Sequence, residues 1–424
     1  MKQRITQLLA DLKWYESAEL AAMALYIISV SIYWRAGIFA LALVLICSVI
    51  KMVAERSVGN TALTKVPCIG LLLMILYYFV YLFSIHYSNS PLGGFAALGK
   101  KTPMLAIPLI FLLSDFSYIR QKHVSSLSLL LALTLTGRFL IMAVQAILDS
   151  IAGTSTSEVI HANFDPMHYN YLALYIITAV IVLFFETVRV WQHARWRQWR
   201  WVLLAALVCM AEYIILLGSR SGLLTLIFVA IAIVTYLFLL RKRTFAGIAV
   251  LSALLIFGIN RIALPEVFSR AEKTVEKIEN EEDGDTRQEL WRCAWGLVDD
   301  HEIVGYGNDG YGADLSRRYE AHDLSYQKDK MLNTHNQYLE ALLVAGIIGL
   351  IILLAMMAIP TTLSITRTHW NPVMALFVAT YALWIFFEEA FSRQMGILFI
   401  CWWHCFFLSF GRFYSKLPYF LNKQ

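Results

Sequence analysis

The chain has 424 residues, of which 59% are hydrophobic and 15% charged, with a net charge of +5 and a mean hydropathy of +0.61. A soluble globular domain carries about a quarter charged residues, so this composition excludes one. The apolar residues fall in blocks long enough to cross a bilayer, roughly 20 residues as a helix, and the expected fold is an all-α polytopic membrane protein.

Residues 1–17 carry Lys2, Arg4 and Lys13, with Ile5, Leu8, Leu9 and Leu12 at helical spacing. That is the pattern of a short amphipathic helix on the cytoplasmic face, and no cleavable signal peptide is visible. Twelve spans are then expected, at 18–34, 37–53, 66–86, 103–119, 124–148, 167–188, 200–218, 221–240, 244–262, 337–359, 373–391 and 396–411. The organisation is thus nine spans in 1–262, one long outer loop at 263–334, and three spans in 335–424. The loop opens on a charged helix, "VFSRAEKTVEKIENEEDGD", ending at Gly284. A second helix follows in "DTRQELWRCAWGLVDDH", with Leu290, Trp291, Ala294, Trp295 and Val298 on one face. The glycine-rich "EIVGYGNDGYGADL" comes next. Its "GYGNDG" matches a dinucleotide fingerprint, but that motif has meaning only between a strand and a helix. Here it sits among helical spans, and its glycines are read as turn residues.

Basic residues set the orientation. With the N-terminus inside, the cytoplasmic segments hold nineteen lysines and arginines and the short outer loops five. Both termini are therefore expected to be cytoplasmic, and the net positive charge gives no reason to expect nucleic acid. Of the six cysteines only Cys293 lies in the outer region, so no disulfide framework is expected. "CWWHC" at 401–405 has metal-like spacing but lies inside the last span without a fourth ligand, and reads as packing.

Charged groups inside spans are costly, so their positions carry information. Arg220 lies in the tight outer turn "LLGSRSGLL". Glu388, Glu389 and Arg393 lie at the outer turn joining the last two spans, Lys100 and Lys101 at the outer start of the fourth, and His168 at the outer start of the sixth. His335 begins the tenth, and Arg138 is halfway along the fifth. Each has a plain structural reading: Arg220 and the lysines as headgroup anchors, a glutamate with Arg393 as a helix-end ion pair, Thr334 and Gln337 as a capping box beside His335. Together they put more cations on the outer side than anchoring requires. Arginine forks fit phosphate oxygens and stay charged. Arg287, at a helix N-terminus, gains from the free N–H groups there. A histidine nearby suits a general base for a hydroxyl. The chemistry implied is group transfer from a lipid diphosphate to a hydroxyl acceptor. "NEEDGD" at 280–285 is read as a solvated helix end, leaving no metal site and no cofactor.

Three segments, "GSRSGLLTL", "DTRQELWRCAWGLVDDHEIVGYGNDGYG" and "THNQYLEALLVAGIIGL", carry a resemblance to the O-antigen ligase and O-antigen polymerase family of bacterial membrane glycosyltransferases. The resemblance covers roughly 200–360; the first half agrees in span layout, in "KKTPMLAIPLIF" and in "FDPMHYNYLALY". It implies a GT-C-like fold in the bacterial inner membrane, with the site on the periplasmic face. It also implies metal-independent, inverting transfer from a polyprenyl (undecaprenyl) diphosphate-linked glycan. The acceptor would be lipid A–core for a ligase or a growing glycan for a polymerase. On it, Arg220 and Arg287 are similar to the diphosphate-binding arginines and His335 to the base. Lys101 and His168 match less tightly, and Arg138 and Glu389 stand as further candidate contacts with substrate. The ligase reading is preferred, with polymerase as its alternative. A twelve-span transporter or lipid flippase is the competing class, to which Arg138 and Glu212 are the pointers.

Overall fold

The computed structural model describes residues 12–61, 63–151, 167–192, 198–263, 286–299, 301–366, 369–415 and 417. Residues 1–11 of the expected surface helix, and all of the charged helix expected at 267–284, lie outside that set. The regular elements among the described residues are all helical. They are α1 (Trp14–Ile32), α2 (Trp34–Glu55), α3 (Lys65–Ser84), α4 (Pro91–Lys101), α5 (Pro103–Leu113), α6 (Gln121–Ile151), α7 (Tyr169–Gln192) and α8 (Arg200–Leu217). They continue with α9 (Arg220–Leu239), α10 (Arg243–Ala263), α11 (Thr286–Val298), α12 (Gly312–Ala321), α13 (Ser325–Asp329), α14 (Gln337–Ser364), α15 (Pro372–Trp384) and α16 (Gln394–Ser409).

Local signals set several of these limits. Pro91, Pro103 and Pro372 occupy first helical positions, where a missing N–H costs nothing. Gly218 ends α8 in the left-handed region, φ 63°, and Ser219 then caps α9 by accepting from Gly222 N at 3.1 Å. "LGSRSG" is therefore a helix stop joined to a helix start, which brings Arg220 to the first turn of α9.

Nine helices among the described residues are long and apolar enough to cross a membrane, or ten if α4 and α5, bent by 41°, count as one. This fits a polytopic membrane protein, with fewer full spans than the twelve expected. The difference lies partly in the last two: α15 has 13 residues and α16 has 16. At 1.5 Å per residue these reach about 20 and 24 Å, short of the roughly 30 Å hydrocarbon core. Protein surrounds α16: Gly396 to Ser409 are all buried. It packs on α7, whose most apolar stretch is buried at 94% of its positions, with Tyr175 and Phe399 stacked at 3.7 Å. By contrast α10, with 11% of the positions in its apolar stretch buried, lies at the periphery.

The tenth expected span is broken. Within α14, Ala345 and Gly346 leave the helical region, with φ 58° at Gly346. The glycine-rich loop takes up the backbone groups that the break releases: Tyr306 N donates to Leu343 O at 2.7 Å, Gly307 N to Val344 O at 3.0 Å, and Ile347 N to Glu302 O at 3.0 Å. The "GYGNDG" segment thus braces a broken helix, and freed polar groups at such a place must find partners. Beneath it, Leu290, Cys293, Ala294, Leu297 and Val298 of α11 form a small core with Leu315, Tyr319 and Leu339. Trp295, expected on that buried face, is 54% exposed.

A Cβ at Gly346 would run into the carbonyl oxygen of Ile303 at a φ that side chains rarely adopt. Gly346→Ala is expected to destabilise the protein by about 2–3 kcal/mol. Gly247→Ala, where no atom lies within 4 Å of the added carbon, should be neutral or mildly stabilising. Melting of both variants in detergent checks this; equal midpoints would remove the bracing role.

Candidate active site at one end of the bundle

Five chain segments meet at the end of the bundle that carries α11. They are the start of α7, the α8–α9 turn, the start of α11, the approach to α14 and the turn between α15 and α16. They enclose a cavity of about 260 Å³ lined by His168, Tyr169, Asn170, Gly218, Arg220, Ser221, Arg287, Leu290, Leu332, His335 and Glu388. Arg220, Arg287 and His335, separated by 67 and 48 positions in the chain, therefore share one hollow, and His168 joins them.

His335 is held in an unusual conformation. Its φ of 48° lies in the left-handed region, which a histidine adopts only where its surroundings compel it. The compulsion comes from both sides. Thr334 N and Thr334 Oγ1 donate to Glu389 Oε1 at 2.8 and 2.7 Å. Asn336 caps α14, accepting from Tyr338 N at 2.9 Å and Leu339 N at 3.1 Å. The expected Thr334–Gln337 capping box is not formed, because Glu389 takes the Thr334 hydroxyl. Gln337 instead ties α14 to the neighbouring turn, through Gln337 N to Ile385 O at 2.9 Å and Phe391 N to Gln337 Oε1 at 2.8 Å.

That turn presents Glu388 to the cavity. Its carboxylate lies 3.4 Å from His335 Nδ1 and 3.5 Å from Arg287 Nη2, and the Asn170 amide donates to it. Ser219 Oγ donates in turn to Asn170 Oδ1 at 2.8 Å. A carboxylate accepts, so the contact assigns the ring proton to Nδ1 and leaves Nε2 for a ligand. Burial by itself would raise the Glu388 pKa, but the His335 hydrogen bond and charge, Arg287 and Asn170 outweigh it and hold the carboxyl below its usual range. His168 is shifted down, chiefly by burial, with Arg393 and His335 adding to the shift and Glu388 opposing it. Arg220 is exposed and makes no hydrogen bond or ion pair among the described residues, whereas Arg287 also lies 5.9 Å from the Phe387 ring.

The remaining candidates stand elsewhere. Lys101 is 3% exposed and donates to Phe391 O at 2.6 Å, 3.5 Å from Glu340 and over the Tyr81 ring, so it braces the α15–α16 turn from behind. Arg138 donates to Ile32 O at 3.1 Å and Ser31 O at 3.4 Å, satisfying carbonyls at the C-terminal end of α1. Glu212 accepts from Asn260 Nδ2 at 2.8 Å, pairing α8 with α10. Arg393 forms no ion pair with either neighbouring glutamate among the described residues. His404 of "CWWHC" is buried against the Tyr381 hydroxyl at 2.9 Å, in the packing role expected of that segment.

Glu389 supports Thr334 from outside the cavity. Burial, and then the Glu340 charge, raise its pKa to about 7. The unfolded carboxyl loses its proton near pH 4.3 while the folded one retains it, so stability should fall as pH rises from there to about 7. Glu389→Gln is expected to flatten that slope, as read from detergent melting across the window. An unchanged slope would remove Glu389 as its source.

The carboxylate of Glu388, the amide of Asn170 and the ring of Tyr169 were not singled out as substrate or catalytic groups from sequence. Glu388 carried a signal as one of two adjacent glutamates at the outer turn; Asn170 and Tyr169 stood beside His168 in "FDPMHYNYLALY", a segment that carried the resemblance as a whole without marking either residue.

Residues 205–354 match a family model described as O-antigen ligase. The match supports an O-antigen ligase/polymerase family assignment, and it takes in Arg220, Arg287 and His335. No curated protein matches the chain.

Proposed function

On the premise of that family assignment, we propose that the protein is a ligase-type glycosyltransferase. It moves a glycan from a polyprenyl diphosphate to a hydroxyl of lipid A–core, at the periplasmic face of a bacterial inner membrane with both termini cytoplasmic. The observation that carries this reading is the meeting of two guanidinium groups and one imidazole, from separate segments, in a single cavity.

Arg220 and Arg287 take the diphosphate oxygens and carry the negative charge that grows as the C1–O bond to phosphate breaks. The acceptor hydroxyl attacks C1 from the opposite side and inverts it, as its proton passes to His335 Nε2. Glu388, on Nδ1, holds the ring in the accepting tautomer and stabilises the imidazolium that forms. The diphosphate leaves as the free lipid anion. With its charge met by two guanidinium groups, this step calls for neither nucleotide nor divalent cation.

The test is purified protein with polyprenyl-diphosphate glycan and lipid A–core, in chelator and without ATP or an ion gradient. Glycosylated lipid A–core, identified by mass, is the expected product. A lengthened polyprenyl-linked glycan would assign the polymerase reaction instead. Absence of transfer, with lipid movement across vesicles under a gradient, would move the protein to the transporter class.

A further inference from the structure

We infer that Tyr169 is the stacking platform for the donor sugar bonded to the diphosphate, an inference that rests on the reading above. Tyr169 heads α7 and, among the described residues, is the one carbocyclic aromatic residue lining the cavity, whose wall is otherwise charged, polar or small apart from Leu290 and Leu332. It is 42% exposed, and its only ring partner among the described residues is His168, stacked at 4.6 Å with 22° between planes. His168 is itself set edge-on to buried Tyr171 at 6.1 Å, and its Nδ1 accepts from Asn170 N at 3.4 Å. Asn170 is bound to Glu388 and Ser219, so the ring is registered to the carboxylate that holds His335.

The chemistry requires a sugar here. Its C1 must approach the acceptor oxygen on His335 to about 3–3.5 Å, while its phosphate stays with the arginines. The ring therefore spans the space between those groups, and Tyr169 is on the wall of that space. A pyranose presents a face of C–H groups suited to the electron-rich face of an aromatic ring, and hydroxyls at its rim suited to the polar wall. A tyrosine at a span end also serves as an interfacial anchor. An anchor, however, would not distinguish a sugar-bearing lipid from a bare one.

That distinction is the test. Binding of polyprenyl diphosphate carrying one hexose, and of bare polyprenyl diphosphate, is measured for wild type, Tyr169→Leu, Tyr169→Phe and Arg220→Ala. Tyr169→Leu should weaken the glycosylated lipid about tenfold and leave the bare lipid unchanged, which also shows that the variant is folded. Tyr169→Phe, keeping the ring, should restore the preference. Tyr169→Leu with wild-type affinity for both lipids, or an equal loss of both, would overturn the inference. Arg220→Ala separates it from its premise: loss of both lipids supports the diphosphate reading, and retention of both overturns that reading.

Discussion

Alanine at Arg220, Arg287 or His335 is expected to abolish glycan transfer while the protein still inserts in the membrane. Loss of the base should lower the rate on the order of 10²–10⁴-fold, the usual contribution of a positioned acid–base group. Arg220 offers the cleanest variant, because it is exposed and forms no ion pair among the described residues. Its removal should cost little stability, so lost activity reports lost contact with substrate. Arg287→Ala also withdraws a cation 3.5 Å from buried Glu388, and its effect should include some disturbance of His335. Surface glycans from cells carrying each variant give the readout, with membrane levels checked in parallel. Normal polymeric ladders on lipid A–core in all three would defeat the assignment.

The second large effect is expected at Glu388, a positioning residue. Glu388→Gln keeps the shape of the side chain but removes the charge facing His335 Nδ1 and Arg287. Where an analogous carboxylate was exchanged for an amide in a serine protease, the rate fell by about 10⁴, because the amide favours the wrong tautomer. The longer 3.4 Å contact here argues for a smaller loss, on the order of 10²-fold. The loss should fall on kcat, with KM for the lipid donor unchanged or lower, since the Glu388 charge then no longer competes with the diphosphate for Arg287. Glu388→Asp should recover part of the rate. A variant with wild-type kcat, or one changed in KM alone, would remove Glu388 from the mechanism.

Adjacent glutamates show where reading residues along the chain stops. Glu388 and Glu389 have the same chemistry and the same neighbours in sequence, and Glu389 was the one expected near substrate. The backbone of the α15–α16 turn directs Glu388 towards His335 and Glu389 towards Thr334. Nothing local to the two residues encodes that choice. Lys101 is a parallel case: among cations near the outer turns it resembled a phosphate ligand, but packing of α4 against the turn engaged it with Phe391 O and Glu340.

Composition and hydropathy alone determine the helical, membrane-fitting class and the approximate positions of the helices. The reason is that a bilayer admits so few ways to satisfy the backbone. The cations and histidine of the site are legible too, because charge is so costly beside long apolar runs that each occurrence stands out. Helices that are apolar all round carry no periodic mark of which face meets lipid and which meets protein. Only the tertiary structure therefore decides that α7 and α16 are central and α10 peripheral, that α14 is broken and braced by the glycine loop, and which carboxylate and which aromatic ring complete the cavity. Those outcomes depend on contacts between segments far apart in the chain, and each is set by what the partner segment offers.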